Sequence, residues 1–282
     1  MGFPAAGQRG RFIGRDTVLC MSLAGRPGSF GSRFHNHLYE QLGMDWAYKA
    51  FTTADLPAAI AGLRAFGIRG CAVSMPFKEA CIPLLDGLAP SAAAIGSVNT
   101  IVNDDGVLTG HNTDYAAIAP LLAKHGVPPT TRFAARGSGG MGKAVISALR
   151  DAGFRDGTVV ARNEAAGRAL AEACGYRWSA EPVAAPLLVN ITPIGMAGGP
   201  EAEALAFPEA MIEAAEAVFD VVHLPPETPL LRRARALGKV VITGVEVAVL
   251  QALEQFVLYT GQRPTAAQVD AAAAYARGES AR

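Results

Sequence analysis

The sequence has few cysteines and no excess of charge of either sign. Four of the 282 residues are cysteine, and none forms a Cys-x-x-Cys pair, a spacing typical of metal and redox sites. Cys20 and Cys71 each lie in a short apolar run, where cysteine behaves as a small hydrophobic residue. Lysine and arginine total 25, as do aspartate and glutamate, so no basic excess recruits nucleic acid or an anionic membrane. These features predict reduced cysteines, no metal and a small-molecule ligand.

Long apolar runs are also missing. No segment approaches the ~20 apolar residues needed to cross a bilayer, and no such stretch follows the arginines near the N-terminus. We therefore expect a cytoplasmic protein, without nucleic-acid or membrane partners. With 282 residues, of which 50% are hydrophobic, the chain can bury the cores of two domains. The sequence does not distinguish a monomer from a homodimer.

The chain does contain short apolar runs that alternate with helical patterns. In the first part, strands are predicted at 17–23, 47–51 and 71–74, helices at 33–42, 56–66 and 77–88, and a hairpin at 97–102 and 107–110. Such alternation predicts an α/β fold with a mostly parallel sheet covered by helices.

A second series follows a predicted helix at 115–125. Residues 126–129, Gly-Val-Pro-Pro, interrupt the pattern and predict the entrance to a second domain. Strands are predicted at 132–135, 158–161, 187–191, 217–222 and 240–243, and helices at 140–151, 165–174, 245–259 and 265–276.

A glycine-rich turn lies between the predicted strand 132–135 and the helix 140–151. Its residues, Gly137-Ser138-Gly139-Gly140-Met141-Gly142, fit the pattern G-x-G-x-x-G in the strand-turn-helix context that the pattern requires. The first glycine permits the tight turn, the second lets the backbone approach a pyrophosphate, and the third lets the helix pack closely. The turn predicts a dinucleotide site, with an ordinary glycine-rich loop as the alternative.

The end of the next predicted strand indicates which dinucleotide binds. NAD-specific folds usually place an acid there, whereas strand 158–161 runs into Arg162 and Asn163. A guanidinium can bind a 2′-phosphate, and Arg168 on the following helix is near enough to contribute. Glu164 could accept from a ribose hydroxyl, although its position is more typical of a first-turn helix acid. The sequence favours NADP over NAD, and a solvated surface charge is the alternative for Arg162.

Further short motifs surround the glycine-rich turn. They are Ser74-Met75-Pro76-Phe77-Lys78-Glu79, Ser97-Val98-Asn99-Thr100, Gly110-His111-Asn112-Thr113-Asp114, Asn190-Ile191-Thr192-Pro193-Ile194-Gly195-Met196, Asp220-Val221-Val222-His223 and Gln251. In this order they resemble the T-x-P-F-K, A-V-N-T, G-x-N-T-D, N-x-T-x-x-G-M and D-x-x-Y motifs and the C-terminal glutamine of the shikimate dehydrogenase family. The resemblance extends over nearly the whole chain and is strongest to a shikimate dehydrogenase-like subgroup.

The resemblance implies an architecture. In this family an N-terminal substrate domain precedes a Rossmann-type NADP-binding domain, and C-terminal helices return to the substrate domain. The implied boundaries are residues 1–113 and 245–282 for the substrate domain and 114–244 for the NADP domain. Thr192, Pro193, Val221 and Gly244 would lie beside the cofactor.

The resemblance also implies roles. Lys78 and Asp114 would be a catalytic pair, because a lysine whose pKa falls towards neutrality through burial can carry the proton of a reacting hydroxyl. Ser74, Asn99 and Gln251 would bind the substrate. The residue types alone leave other readings open: a surface lysine, a helix N-cap aspartate, a turn asparagine and a helix-surface glutamine.

One segment departs from the family pattern. The family motif S-x-S-P-x-x-H-N supplies two serine hydroxyls to the substrate carboxylate. Residues 29–36 read Ser-Phe-Gly-Ser-Arg-Phe-His-Asn, so Ser29 is kept and Gly31 replaces the second serine. Ser32 could supply the missing hydroxyl from the next position, or Arg33 or Arg26 could form a cationic clamp.

Two more departures concern the same substrate site, since His223 stands in place of tyrosine and Ala72 in place of asparagine. We therefore expect an NADP-dependent oxidoreductase that interconverts shikimate, or a similar cyclic hydroxy acid such as quinate, and its 3-dehydro ketone, with weak or altered turnover of shikimate. The alternative is a cofactor-binding or sensing protein with little catalysis. A folate-linked dehydrogenase fits the motifs at 110–114 and 190–196 less well.

Overall fold

The computed structural model describes residues 13–278, which form two six-stranded sheets flanked by helices. The strands are β1 (Val18–Leu23), β2 (Trp46–Phe51), β3 (Gly70–Val73), β4 (Gly87–Leu88), β5 (Thr100–Asp104), β6 (Val107–His111), β7 (Phe133–Arg136), β8 (Gly157–Val160), β9 (Arg177–Ser179), β10 (Leu187–Asn190), β11 (Ala217–Asp220) and β12 (Val240–Ile242). The helices are α1 (Phe30–Gln41), α2 (Leu56–Ala65), α3 (Phe77–Ala80), α4 (Pro90–Ala93), α5 (Thr113–Lys124), α6 (Gly140–Asp151), α7 (Glu164–Cys174), α8 (Glu209–Ala214), α9 (Pro229–Ala236), α10 (Gly244–Thr260) and α11 (Ala266–Arg277).

The first sheet is mixed, in the order β2-β1-β3-β5-β6-β4. Strand β1 pairs in parallel with β2 and β3, whereas β5 runs antiparallel to β3 and β6. The predicted hairpin is confirmed: Asp105 and Gly106 both take positive φ angles at the turn between β5 and β6. The hairpin carries the segment 97–99 to the end of β3, since Val73 N donates to Asn99 O at 2.7 Å.

The second sheet is entirely parallel, in the order β12-β11-β10-β7-β8-β9. Counted from its first strand, this is the 3-2-1-4-5-6 order of a doubly wound dinucleotide-binding fold, with the order reversing between β7 and β10. Ligands of such sheets bind at the carboxyl ends of the strands beside that reversal. The predicted α/β fold class, with a Rossmann-type sheet in its second part, is thereby confirmed.

The predicted helix at 77–88 is wrong. Helix α3 ends at Ala80, a 3₁₀ turn follows at Ile82–Leu84, and Gly87–Leu88 form strand β4. Pro83 lacks the N–H that a continued helix would need, and its ring crowds the preceding turn. The short elements α4, α8 and β9 were not predicted, because they are too brief to show a hydrophobic period. Helix α9 was also not predicted, although Leu230, Leu231 and Ala234 form one buried face.

The two halves share helix α10. Val247, near its start, packs in the core that contains α5, α6 and β7. Leu253, Phe256 and Tyr259, further along, pack in the core with α1 and α11. The C-terminal helices therefore return to the first sheet.

The domain boundaries at 113/114 and 244/245 stay predictions, and residues 1–12 and 279–282 of the predicted substrate domain lie outside the described residues. Among residues 13–278, none of the helices combines the length and apolar character needed to cross a membrane.

Candidate active site

A cleft of about 430 Å³ opens where the two sheets meet. Its walls include many of the residues singled out from the sequence: Ser74, Lys78, Asp114, Gly140, Met141, Thr192, Pro193, Val221, Gly244 and Gln251. A second cavity of about 370 Å³ is lined by the whole turn Gly137–Gly142 and by Arg162 and Asn163. The two cavities share Met75, Gly140, Met141, Ile191, Thr192 and Pro193, so they form one continuous site.

The glycine-rich turn has the geometry of a phosphate cradle. Gly137 takes φ +130°, and a Cβ there would lie 2.8 Å from the carbonyl oxygen of Ile191. A Cβ on Gly142 would lie 2.7 Å from the carbonyl oxygen of Gly137. A Cβ on Gly139, by contrast, would meet nothing within 4 Å. Gly137 and Gly142 are thus required by the fold, whereas Gly139 leaves open space at the start of α6, the end of a helix that favours anions.

The second cavity ends at the residues that follow β8. Three of them were singled out from the sequence, and their surroundings differ: Arg162, Asn163 and Arg168. Arg162 is exposed and lines the cavity, while the Asn163 side chain accepts from Ala166 N at 3.1 Å and caps α7. Arg168 is not among the described residues that line the cavity. Its Nε donates to Glu164 Oε1 at 2.7 Å, and its guanidinium lies over the ring of Trp178. A contact of Arg168 with the cofactor stays a prediction.

Lys78 and Asp114 meet in the deeper part of the cleft. The Lys78 ammonium nitrogen lies 2.5 Å from Asp114 Oδ2, and the two side chains are 14% and 3% exposed. A carboxylate so deeply buried requires a partner, because an unpaired buried charge is strongly destabilising. The pair that the sequence could only propose is therefore in contact, with the lysine end facing the cleft.

The start of α5 holds Asp114 in place. Asn112, and not Asp114, is the N-cap: its side chain accepts from Tyr115 N at 3.2 Å. Asp114 lies in the first helical turn, where the helix dipole favours a negative charge. The Asn99 side chain accepts from Thr113 N at 2.8 Å and donates to Thr113 Oγ1 at 3.0 Å. Asn99 therefore fixes the residue before Asp114, and a substrate contact of Asn99 stays a prediction.

Lys78 lies close to the cofactor turn. Its carbonyl oxygen accepts from Val98 N at 2.8 Å, which ties α3 to the segment before β5. A Cβ on Gly140 would lie 3.4 Å from Ser97 Oγ and 3.9 Å from Lys78 Cδ. The absence of a side chain at Gly140 therefore lets the turn approach the lysine from the other sheet.

The buried carboxylate of Asp220, which the sequence showed only as part of the motif 220–223, holds together the loops after β10 and β11. Asp220, at the end of β11, accepts from Asn190 Nδ2 at 3.0 Å, Val222 N at 3.0 Å and Thr228 Oγ1 at 2.7 Å. Burial raises the pKa of Asp220 to about 6, although the three donors oppose that rise. The loops after β10 and β11, which carry Thr192 and His223, are thus tied to one side chain.

Gln251 and His223 both line the cleft, and burial holds the pKa of the His223 imidazole below its usual value. Gln255, one turn after Gln251, was missed. It is buried and donates to Thr100 Oγ1 at 3.1 Å and to Asn99 O at 3.3 Å. Its spacing of four residues from Gln251 was the available signal, since such residues share a helix face.

Ser29 and Ser32 do not line the described cleft. Helix α1 begins at Phe30 rather than at residue 33, so Ser32 lies in its first turn and Ser29 at its exposed N-cap. The Arg33 side chain reaches the end of α11, with Nη1 3.3 Å from where a Cβ on Gly278 would lie. Carboxylate binding by these residues stays a prediction.

Known proteins resemble this chain over most of its length. Residues 28–101 match the model of the shikimate dehydrogenase substrate-binding domain. A shikimate dehydrogenase-like protein of Haemophilus influenzae is 54% identical, covering 94% of this chain and 98% of its own. A shikimate dehydrogenase (NADP(+)) of Moorella thermoacetica is 36% identical, covering 92% and 94%.

The solved structure of shikimate 5-dehydrogenase from Thermus thermophilus in complex with NADP(H) and shikimate superposes with a TM-score of 0.82. It is 34% identical in sequence and covers 92% of this chain and 100% of its own. Identity at this level over nearly the full length, together with the two-sheet fold and the cleft between the sheets, confirms the predicted resemblance: the chain belongs to the shikimate dehydrogenase family.

Proposed function

We propose that this protein is an NADP-dependent oxidoreductase that interconverts shikimate, or a similar cyclic hydroxy acid such as quinate, and its 3-dehydro ketone. The buried contact between Lys78 and Asp114 carries the proposal, because it lies in the same cleft as the glycine-rich turn. The name of the Moorella relative and the ligands of the Thermus structure support NADP and shikimate as the reactants.

The residues present fit a dinucleotide. Open space at Gly139 and the N-terminus of α6 suit the pyrophosphate, and Arg162 suits a 2′-phosphate. Thr192, Pro193, Val221 and Gly244 would line the nicotinamide end, beside Lys78. Bound there, the oxidised nicotinamide supplies the acceptor for a hydride.

The chain's own contribution is to handle the proton. When a ring hydroxyl is oxidised, Lys78 in its neutral form accepts the hydroxyl proton at Nζ; in the reverse direction its ammonium returns that proton. Asp114 fixes the position of Nζ through the 2.5 Å contact. Gln251 offers an amide to the remaining hydroxyls, and the apolar walls formed by Met196 and Val247 exclude water from the reacting groups.

Initial rates with shikimate and quinate, each with NADP⁺ and NAD⁺, test the proposal. We expect NADP⁺ reduction with at least one substrate, and a loss of roughly 10²-fold to 10⁴-fold in Lys78→Met with NADP affinity retained. Lys49→Met is the matched control, since Lys49 lies over the ring of Phe51, outside the cleft. NADP binding without any turnover that depends on Lys78 would instead support the alternative, a cofactor-binding or sensing protein with little catalysis. The position of Ser29 and Ser32 outside the cleft favours that alternative.

A further inference from the structure

A second arginine lies at the adenosine end of the cofactor cavity. Arg136 is the last residue of β7, directly before Gly137, and it lines the same cavity as Arg162. In the parallel pairing of β7 with β8, Arg136 is the partner of Val160, two residues before Arg162. Both side chains therefore leave neighbouring strands at the same edge of the sheet, and both line the cavity.

The charge of Arg162 reaches the guanidinium of Arg136. Burial, and then the charge of Arg162, lower the pKa of Arg136 below its usual value. The carboxylates of Glu201 and Glu181 act in the opposite direction and less strongly. Two cations that face one cavity repel each other, and a doubly charged anion between them offsets that repulsion because it attracts both.

The position of Arg136 is fixed by the protein. Its Nη1 donates to the carbonyl oxygen of Ala206, in the loop before α8. A guanidinium carries five N–H donors, so this bond orients the group and leaves donors for a ligand. Arg168, the second arginine suggested by the sequence, is instead held by Glu164 and Trp178.

We propose that Arg136 and Arg162 together bind the 2′-phosphate of NADP, and that Arg136 contributes to the preference for NADP over NAD. The proposal rests on the proposed function only in requiring that the cavity hold this cofactor. Arg162 supplies the exposed cation, and Arg136 supplies the half-buried one, whose orientation is set before the ligand arrives.

Calorimetric titration with two adenosine probes tests this role without any turnover. Adenosine 2′,5′-bisphosphate carries the extra phosphate, and adenosine 5′-monophosphate lacks it. Arg136→Gln keeps a donor for Ala206 O but removes the charge. We expect it to weaken binding of the bisphosphate by roughly tenfold or more and binding of the monophosphate by less than about threefold, because a charge-assisted bond is lost only with the former.

Arg177→Met is the charge-matched control. Arg177 pairs with Asp156 and is not among the described residues that line the cavity, so its loss lowers the net charge equally. Arg136→Met gives a second neutral variant if the first unfolds, as judged by its thermal transition. The proposal would be overturned if either folded Arg136 variant kept its affinity for the bisphosphate, or if it lost affinity equally for both probes. It would also be overturned if only Arg168→Met lost affinity for the bisphosphate. If the protein does not turn over shikimate but still prefers the bisphosphate in a way that depends on Arg136, only the proposed function is rejected.

Discussion

The starts of α5 and α1 both lie in family motifs, and they are fixed very differently. At the start of α5, Asn112 caps the helix, Asn99 ties Thr113, and Asp114 is buried against Lys78. At the start of α1, Ser29 is exposed and makes no side-chain cap. Within the described residues, the Ser29 and Ser32 hydroxyls contribute no hydrogen bond to the fold. The side chains at the start of α5 are therefore held by the fold, whereas the Ser29 and Ser32 hydroxyls at the start of α1 are not.

Among these variants, Asp114→Asn should change activity most, because it alters the start of α5. Asp114→Asn keeps the size of the side chain but removes the charge that holds Lys78 Nζ. We expect kcat to fall by roughly 10²-fold or more, because a misplaced proton carrier loses most of its advantage. NADP affinity, measured by titration, should change by less than about threefold. A kcat within threefold of the parent would contradict the role of the pair.

A pH effect probes the buried face of α1. His35 is buried against Tyr48, and burial lowers the pKa of its imidazole from 6.5 to about 3. The unfolded chain therefore binds more protons between these values, so stability falls as pH drops below about 6.5, by about 1.4 kcal/mol per pH unit.

Urea unfolding at pH 7, 6 and 5, compared between the parent and His35→Phe, measures this slope. Asp220, whose pKa is raised to about 6, contributes the opposite slope below that pH, but it is common to both proteins and cancels in the difference. We expect the free energy of unfolding of the parent to fall relative to that of His35→Phe as the pH drops. If it does not, His35 is protonated while the protein is folded.

A matched pair of cap variants compares the two helix starts directly. Asn112→Ala removes the bond to Tyr115 N and the bond from Asn112 Nδ2 to Ser97 O, so we expect a loss of about 1–2 kcal/mol. Ser29→Ala removes no cap bond, and we expect a change of less than about 0.5 kcal/mol. Equal losses in denaturant unfolding would mean that the two starts do not differ as described.

The variant Gly31→Ser tests the start of α1, and we expect it to have the smallest effect. Gly31→Ser restores a serine where the family motif has one, and its Cβ would lie 3.5 Å from the Tyr48 hydroxyl, an ordinary contact. We expect the KM for shikimate to fall by about two- to tenfold, with kcat little changed, because a uniform binding contact lowers KM alone. A rise in KM would contradict a substrate contact at the start of α1.

Much of the architecture could be predicted from local pattern. The helix at 140–151 and the glycine-rich turn before it were placed correctly, because a strand, three spaced glycines and an amphipathic helix each leave a local signal. The helix predicted at 77–88 was wrong because the apolar residues 81–85 have the same composition in a helix as in a short turn, and Pro83 opposes a continued helix. The N-cap of α5 was misplaced for a similar reason, since Asn112 and Asp114 are both good caps.

Residues close together along the chain were enough to predict the α/β alternation, the dinucleotide turn and the order of the family motifs. The packing of the two sheets was needed to show that Lys78 meets Asp114 and that Asp220 joins two loops. It also shows that Arg136 shares a cavity with Arg162, while Arg168 is held elsewhere. These contacts join residues on different strands and helices, and their distances are set by how the sheets pack, which no local pattern encodes.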